Sequence, residues 1–142
     1  MAQSLNRVVP RGKEEEAKSF RAIVFSPETK SGEEIVLSAQ NACARFECVL
    51  ASSLEDVIRE LNEHEFDAVI VDADAVGPEF QNVVRKVHGL TPSLPCVVTT
   101  QIGDEETWVD ALTAGACDLI EKFSLGRELG RVLTNFKHRA VA

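Results

Sequence analysis

"AVIVDADAVG", residues 68–77, decides how this chain is read: four apolar residues, an aspartate, then a short stretch ending in glycine. A strand with one wet face alternates apolar and polar residues. The run Ala68–Val71 is apolar on both faces, as a strand in a parallel sheet must be when helices cover it on both sides. Strands of that kind end where ligands gather, so the question passes to Asp72 and to what else the chain brings beside it.

Outward from this run, two periods alternate. "RAIVF" (21–25), "FECVLA" (46–51), "DAVIVD" (67–72), "PCVVTT" (95–100) and "CDLIE" (117–121) are short β-prone runs. Between them the spacing turns helical. Leu54, Val57, Ile58 and Leu61 recur at i, i+3, i+4, i+7, as do Phe80, Val83, Val84 and Val87, and again Leu129, Val132, Leu133 and Phe136. Ile35, Ala39, Ala42 and Cys43 form a weaker stripe, and Trp108, Ala111, Leu112 and Gly115 another. Ser52–Glu55 and Ser53–Asp56 fit capping boxes, Asp104 and Ser124 suit helix starts, and Gly89 and Gly115 suit helix ends. Five β/α units in alternation predict an α/β fold, a parallel five-stranded sheet with right-handed crossovers and helices on both faces.

The 142 residues suffice for one domain with a single sizeable core. Residues 20–138 are expected to form it. Residues 1–19 read as a mobile tail with helical potential near Lys13–Lys18, and 139–142 as a short C-terminal tail. A formal net charge of −8 argues against nucleic acid and anionic membrane as partners. No apolar run reaches the roughly 18–20 residues of a membrane span, and the N-terminus has no signal-peptide core. Cys43, Cys48, Cys96 and Cys117 show no metal-ligand spacing, and three of them interrupt apolar strands. They read as reduced, core-filling thiols in a cytoplasmic protein. His64, His88 and His138 are scattered, and nothing in their placing supports a metal or phosphohistidine role.

In a parallel α/β sheet, chemistry collects beyond the carboxyl ends of the strands. Ser26-Pro27-Glu28 stands there after the first strand, Asp72 after the third, Thr100 at the end of the fourth and Lys122 after the fifth. A carboxylate, a hydroxyl and an ammonium on one edge could hold a phosphoryl group, with the aspartate as nucleophile. Bland readings stand beside this one. Asp72 could cap the next turn, Thr100 could be satisfied by backbone, and Lys122 could simply pair with Asp72 or Asp118.

On "FDAVIVDAD" (66–74), "LPCVVTT" (94–100) and "ALTAGACDLIEK" (111–122), residues 20–138 resemble the receiver domains of two-component response regulators, CheY-like proteins of flavodoxin-like (βα)5 fold. The resemblance implies a three-layer sandwich with strand order 2-1-3-4-5. It also implies a phosphoacceptor at Asp72, phosphoryl contacts from Thr100 and Lys122, and Mg²⁺ held by acidic residues after the first strand. Here those acidic positions read Ser26 and Pro27. Asp72 is left with Glu28 or Asp74 as substitute ligands, so Mg²⁺ is expected to bind weakly or not at all. The usual proline after the phosphoacceptor is absent. The aromatic three before the lysine is Leu119, and Phe123 replaces the proline that normally follows the lysine.

The expected function is therefore that of a stand-alone, atypical receiver in phosphorelay signalling. It would be no enzyme beyond self-catalysed transfer to Asp72, and it would act by protein contact with a histidine kinase, an effector or a second copy. One alternative is a working phosphoacceptor fed by a histidine kinase. Another is a small-molecule-binding flavodoxin-like domain, for which no glycine-rich loop follows the first strand. The family's usual contact face comprises the fourth helix, fifth strand and fifth helix. On it, Trp108 and Leu119 are the candidate exposed anchors, while helical spacing alone would bury Trp108 beside Leu112.

Overall fold

The strand read from Ala68–Val71 lies at the centre of a sheet. The computed structural model describes residues 20–42 and 46–141. The expected tail over 1–19, its helical stretch and Cys43 lie outside them. Five parallel strands, β1 (Phe20–Phe25), β2 (Phe46–Ala51), β3 (Ala68–Asp72), β4 (Cys96–Thr100) and β5 (Asp118–Glu121), pair in the order β2-β1-β3-β4-β5. The connecting helices are α1 (Thr29–Ala42), α2 (Leu54–Glu63), α3 (Phe80–Leu90), α4 (Glu105–Ala114) and α5 (Leu125–Val141). A single helical turn, Ala73–Val76, follows β3, and a 3-10 turn, Lys122–Ser124, leads into α5. This is the flavodoxin-like order that the resemblance implies.

Period two in β3 divides the core. Val69 and Val71 face one layer with Val57 of α2, Val84 and Val87 of α3 and Ala111 of α4. Ala68 and Ile70 face the other, with Ile35 of α1 and Leu125, Leu129 and Leu133 of α5. All five residues of β3 are buried. Each Ile, Leu or Val enclosed in this way contributes about 1.5–3 kcal/mol, which is why the helical stripes and not their propensities fix the layers. Cys96 is buried and Cys48 half-buried. Burial pushes the Cys48 thiol up to about 11, and burial with a contribution from Cys117 pushes Cys96 up to about 12.

Local chemistry sets the helix ends. Ser53 Oγ accepts the Asp56 N–H and Asp104 Oδ1 the Thr107 N–H, so these two caps form, while Ser52 bonds instead to the Asp56 carboxylate. Gly115 ends α4 at φ +118°, where a Cβ would lie 3.0 Å from His88 Cγ. Gly89 does not end α3: the Thr91 N–H bonds to the Val87 carbonyl and carries the helix to Leu90. Ser124 stands in the 3-10 turn and accepts a bond from Arg127. Helix α5 runs on to Val141, past the boundary expected at 138.

Candidate functional site

Parallel pairing in register brings the carboxyl ends of β1, β3, β4 and β5 to one edge. Asp72 closes β3 there with no solvent exposure. A buried carboxylate needs donors, and it has them. Ser31 Oγ, from the first turn of α1, donates to Asp72 Oδ2 at 2.6 Å. Ser26 Oγ, just past β1 and fully buried, lies 2.9 Å from the same oxygen and 2.9 Å from the Glu28 carbonyl. Its one hydroxyl hydrogen serves one acceptor at a time. The Ala75 N–H reaches Asp72 Oδ1 at 3.3 Å, so Asp72 also caps the turn behind it.

Lys122 projects into this edge from the residue after β5. Its Nζ lies 3.6 Å from Asp72 Oδ1, 3.5 Å from Asp74 Oδ2, and donates to Ser31 Oγ at 3.0 Å. Asp118, the other partner considered for it, accepts instead from the Leu119 N–H. Ser38 Oγ, two turns along α1 from Ser31, donates to the Lys122 carbonyl at 2.7 Å.

Thr100 stands at the same edge, and its partner there is the second carboxylate. Its hydroxyl does not bond to Asp72 but donates to Asp74 Oδ1 at 2.7 Å, and the Gln101 N–H donates to Asp74 Oδ2 at 2.7 Å. The site therefore has two storeys bridged by Lys122: a closed one of Asp72, Ser26 and Ser31, and an outer one of Asp74, Thr100 and the Gln101 amide. Burial works to raise the Asp74 carboxyl, but Thr100, Gln101 and Lys122 together hold it below the ordinary carboxylate range. An open cleft of about 450 Å³ lies over the outer storey, lined by Lys30, Ser31, Glu34, Asp74, Thr100 and Lys122 among others.

This donor set does not match an Mg²⁺ cage. Mg²⁺ takes an octahedron of oxygens, usually one or two carboxylates with waters. Between Asp72 and Asp74 stands an ammonium, and the oxygens of both carboxylates already accept bonds. Pro27 is exposed and brings no side-chain oxygen, and Ser26 Oγ is already placed between Asp72 and the Glu28 carbonyl. Among the described residues no group of three or more His, Cys, Asp or Glu is placed to hold a metal.

The second surface of interest is carried by α4 and β5. Trp108 is 44% exposed, so it is not a core residue. Leu119, expected beside it as an exposed partner, is half-buried and packs against the core cluster under α4. Gly103 makes that possible, since a Cβ there would come within 2.7 Å of Leu119 Cδ2. Trp108 and Leu119 still meet in one cleft, together with Gly103, Glu121 and Ser124.

Sequence reading missed Ser31 and the role of Asp74. Ser31 carried a signal: with Ile35 and Ala39 it continues the buried line of α1 at i, i+4, i+8, a polar residue on an apolar stripe. Asp74 was read only as a substitute metal ligand, and nothing in the sequence pointed to its bonds with Thr100 and Gln101, because a residue two past a strand end faces wherever its turn points it.

No model of a known protein family matches the chain. Over 77 residues it is 30% identical to the transcriptional regulatory protein ZraR of Salmonella typhimurium, a stretch covering 54% of this chain and 18% of that protein. In three dimensions it is similar to a CheY-like response regulator receiver domain protein from Methanospirillum hungatei. The TM-score is 0.67 at 17% identity, over 85% of this chain and 98% of the other. A response regulator from Thermotoga maritima superposes with a TM-score of 0.68 at 20% identity, over 82% of this chain and 98% of its own. The fold is that of CheY-like receiver domains.

Proposed function

We propose that the chain acts as a receiver-type module in two-component signalling, working through protein contacts, with Asp72 at the phosphoacceptor position and metal-dependent phosphorylation impaired. The observation that carries this reading is the Lys122 ammonium lodged between Asp72 and Asp74 while Ser26 and Ser31 close over the Asp72 carboxylate. A nucleophile so buried and so bonded is hard to bring in line with an incoming phosphorus. Mg²⁺ binds weakly, and the chain carries out no catalysis beyond any self-transfer to Asp72. Partners are a histidine kinase, an effector or a second copy, in the cytoplasm; the net charge of −8 speaks against nucleic acid and membrane.

The test is mass spectrometry after incubation with a small phosphodonor and excess Mg²⁺. The expected result is an unmodified chain. Near-complete phosphorylation at Asp72 would instead favour the second reading, a working phosphoacceptor, for which Lys122 within reach of Asp72 is the supporting observation.

Signal is expected to leave by the α4–β5–α5 face, with Trp108 as the anchor. Truncating an aromatic anchor costs roughly 2 kcal/mol or more of binding, whereas a surface substitution typically moves stability by about 0.5 kcal/mol. Trp108→Ala should keep its thermal unfolding midpoint within a few degrees and weaken association with a cognate kinase or effector, or self-association where sedimentation detects it. Loss of the fold, or binding at full strength, would remove Trp108 from this role.

A further inference from the structure

The bonds made by Asp74 are not those of an ordinary loop aspartate. A carboxylate just past a strand commonly caps the turn it sits in, but here that task falls to Asp72, which accepts the Ala75 N–H. Asp74 reaches across the edge to other segments. Its Oδ1 accepts from the Thr100 hydroxyl at the end of β4, its Oδ2 from the Gln101 N–H one residue further, and Lys122 approaches the same oxygen at 3.5 Å. A hydroxyl, a backbone N–H and an ammonium gathered around the two oxygens of one carboxylate make an oxyanion cradle, the arrangement that proteins use for phosphate-class anions.

We infer that Asp74 is the resident occupant of this cradle, a tethered carboxylate that fills the place of an exogenous oxyanion and keeps the site shut to it. Thr100 is 4% exposed and its hydroxyl already bonded, so an incoming anion finds the inner donor taken. The plug itself is within reach of solvent: the Asp74 side chain is 41% exposed and lines the open cleft. It rides on a four-residue turn that ends at Gly77, whose φ of +90° glycine adopts without strain. Displacing Asp74 would free the Thr100 hydroxyl and the Gln101 N–H beside Lys122, whose ammonium keeps its bond to Ser31. The inference rests on the receiver reading for its regulatory meaning, but the occupancy of the cradle stands on these contacts alone.

The test uses the ¹⁵N-labelled chain with a chelator present and neither phosphodonor nor kinase, so its outcome is independent of phosphorylation at Asp72. Inorganic phosphate and sulfate are titrated at constant ionic strength into the parent and into Asp74→Ala, following the Gln101 amide resonance. Asp74→Ser, whose shorter side chain also vacates the cradle, replaces the alanine variant if that one does not fold. The expected result is a saturable shift of the Gln101 amide in the variant, with affinity at least about tenfold above the parent's. Equal affinity in parent and variant would mean that Asp74 shuts nothing. A folded variant that binds neither anion would mean that the three donors form no anion site. Failure of both variants to fold would make Asp74 a structural staple and overturn the inference as well.

Discussion

Lys122→Met is expected to destabilise the domain by about 3 kcal/mol at neutral pH, the low end of what breaking a buried ion pair costs. Asp72 has no solvent exposure, and among the described residues Lys122 is the only cation that forms an ion pair with it. Methionine keeps most of the stem volume, so the loss is one of charge and of the donor to Ser31. The full penalty is not reached, because Ser26, Ser31 and the Ala75 N–H still solvate the carboxylate. Urea unfolding measures the change directly. Adding Asp72→Asn to Lys122→Met should recover much of it, since the second substitution removes the stranded charge, and a double-mutant cycle isolates that coupling. A change below about 0.5 kcal/mol, the scale of an ordinary surface substitution, would show that the pair does not form in solution.

Restoring an acidic pair should cost as much in the absence of metal and be largely reversed in its presence. Ser26 is buried, with its Oγ within hydrogen-bond distance, 2.9 Å, of Asp72 Oδ2. Ser26→Asp combined with Pro27→Asp replaces that donor by a second carboxylate against the first. A hydrogen bond to a charged group, worth about 1.5–3 kcal/mol, is lost and like-charge repulsion is added. The double variant is expected to unfold about 3 kcal/mol more easily than the parent in a chelator. Mg²⁺ at about a hundred times its dissociation constant returns roughly 2.7 kcal/mol by mass action, while the parent gains almost nothing at the same concentration. A double variant as stable as the parent without metal would refute the repulsion argument. A parent stabilised equally by Mg²⁺ would show that Asp74 or Glu28 already serves as a ligand.

Much of the sheet could be read from the sequence because burial on two faces leaves a mark that does not depend on context. The all-apolar run at Ala68–Val71 and the i, i+3, i+4 stripes of α2, α3 and α5 each state which side must be covered, and the layers follow. The site was legible at the level of position: Asp72, Thr100 and Lys122 do come to one edge. Two of their contacts were legible as well, the cap that Asp72 makes on the next turn and its pairing with Lys122; the partner of Thr100 was not. A hydroxyl at a strand end can turn to either of two carboxylates two residues apart, and only the direction of the Ala73–Val76 turn decides that Thr100 meets Asp74. Leu119 went the same way: whether a half-apolar strand residue lies outward depends on the space left opposite, here by Gly103. Periodicity carries no information about such gaps.

The two serines of α1 tie that helix to the β5–α5 junction in a way that bears on movement. Ser31 takes hold of the Lys122 ammonium and Ser38 of the Lys122 carbonyl, seven residues and two helical turns apart on one flank of a rigid rod. A residue gripped at both its main chain and its side-chain tip cannot travel alone. Any displacement of the β5–α5 junction must drag α1 along or break two bonds in the same event. The helix and the junction thus behave as one lever, and an effector that reads the position of α1 would sense what happens at Lys122 without touching the carboxylate edge at all.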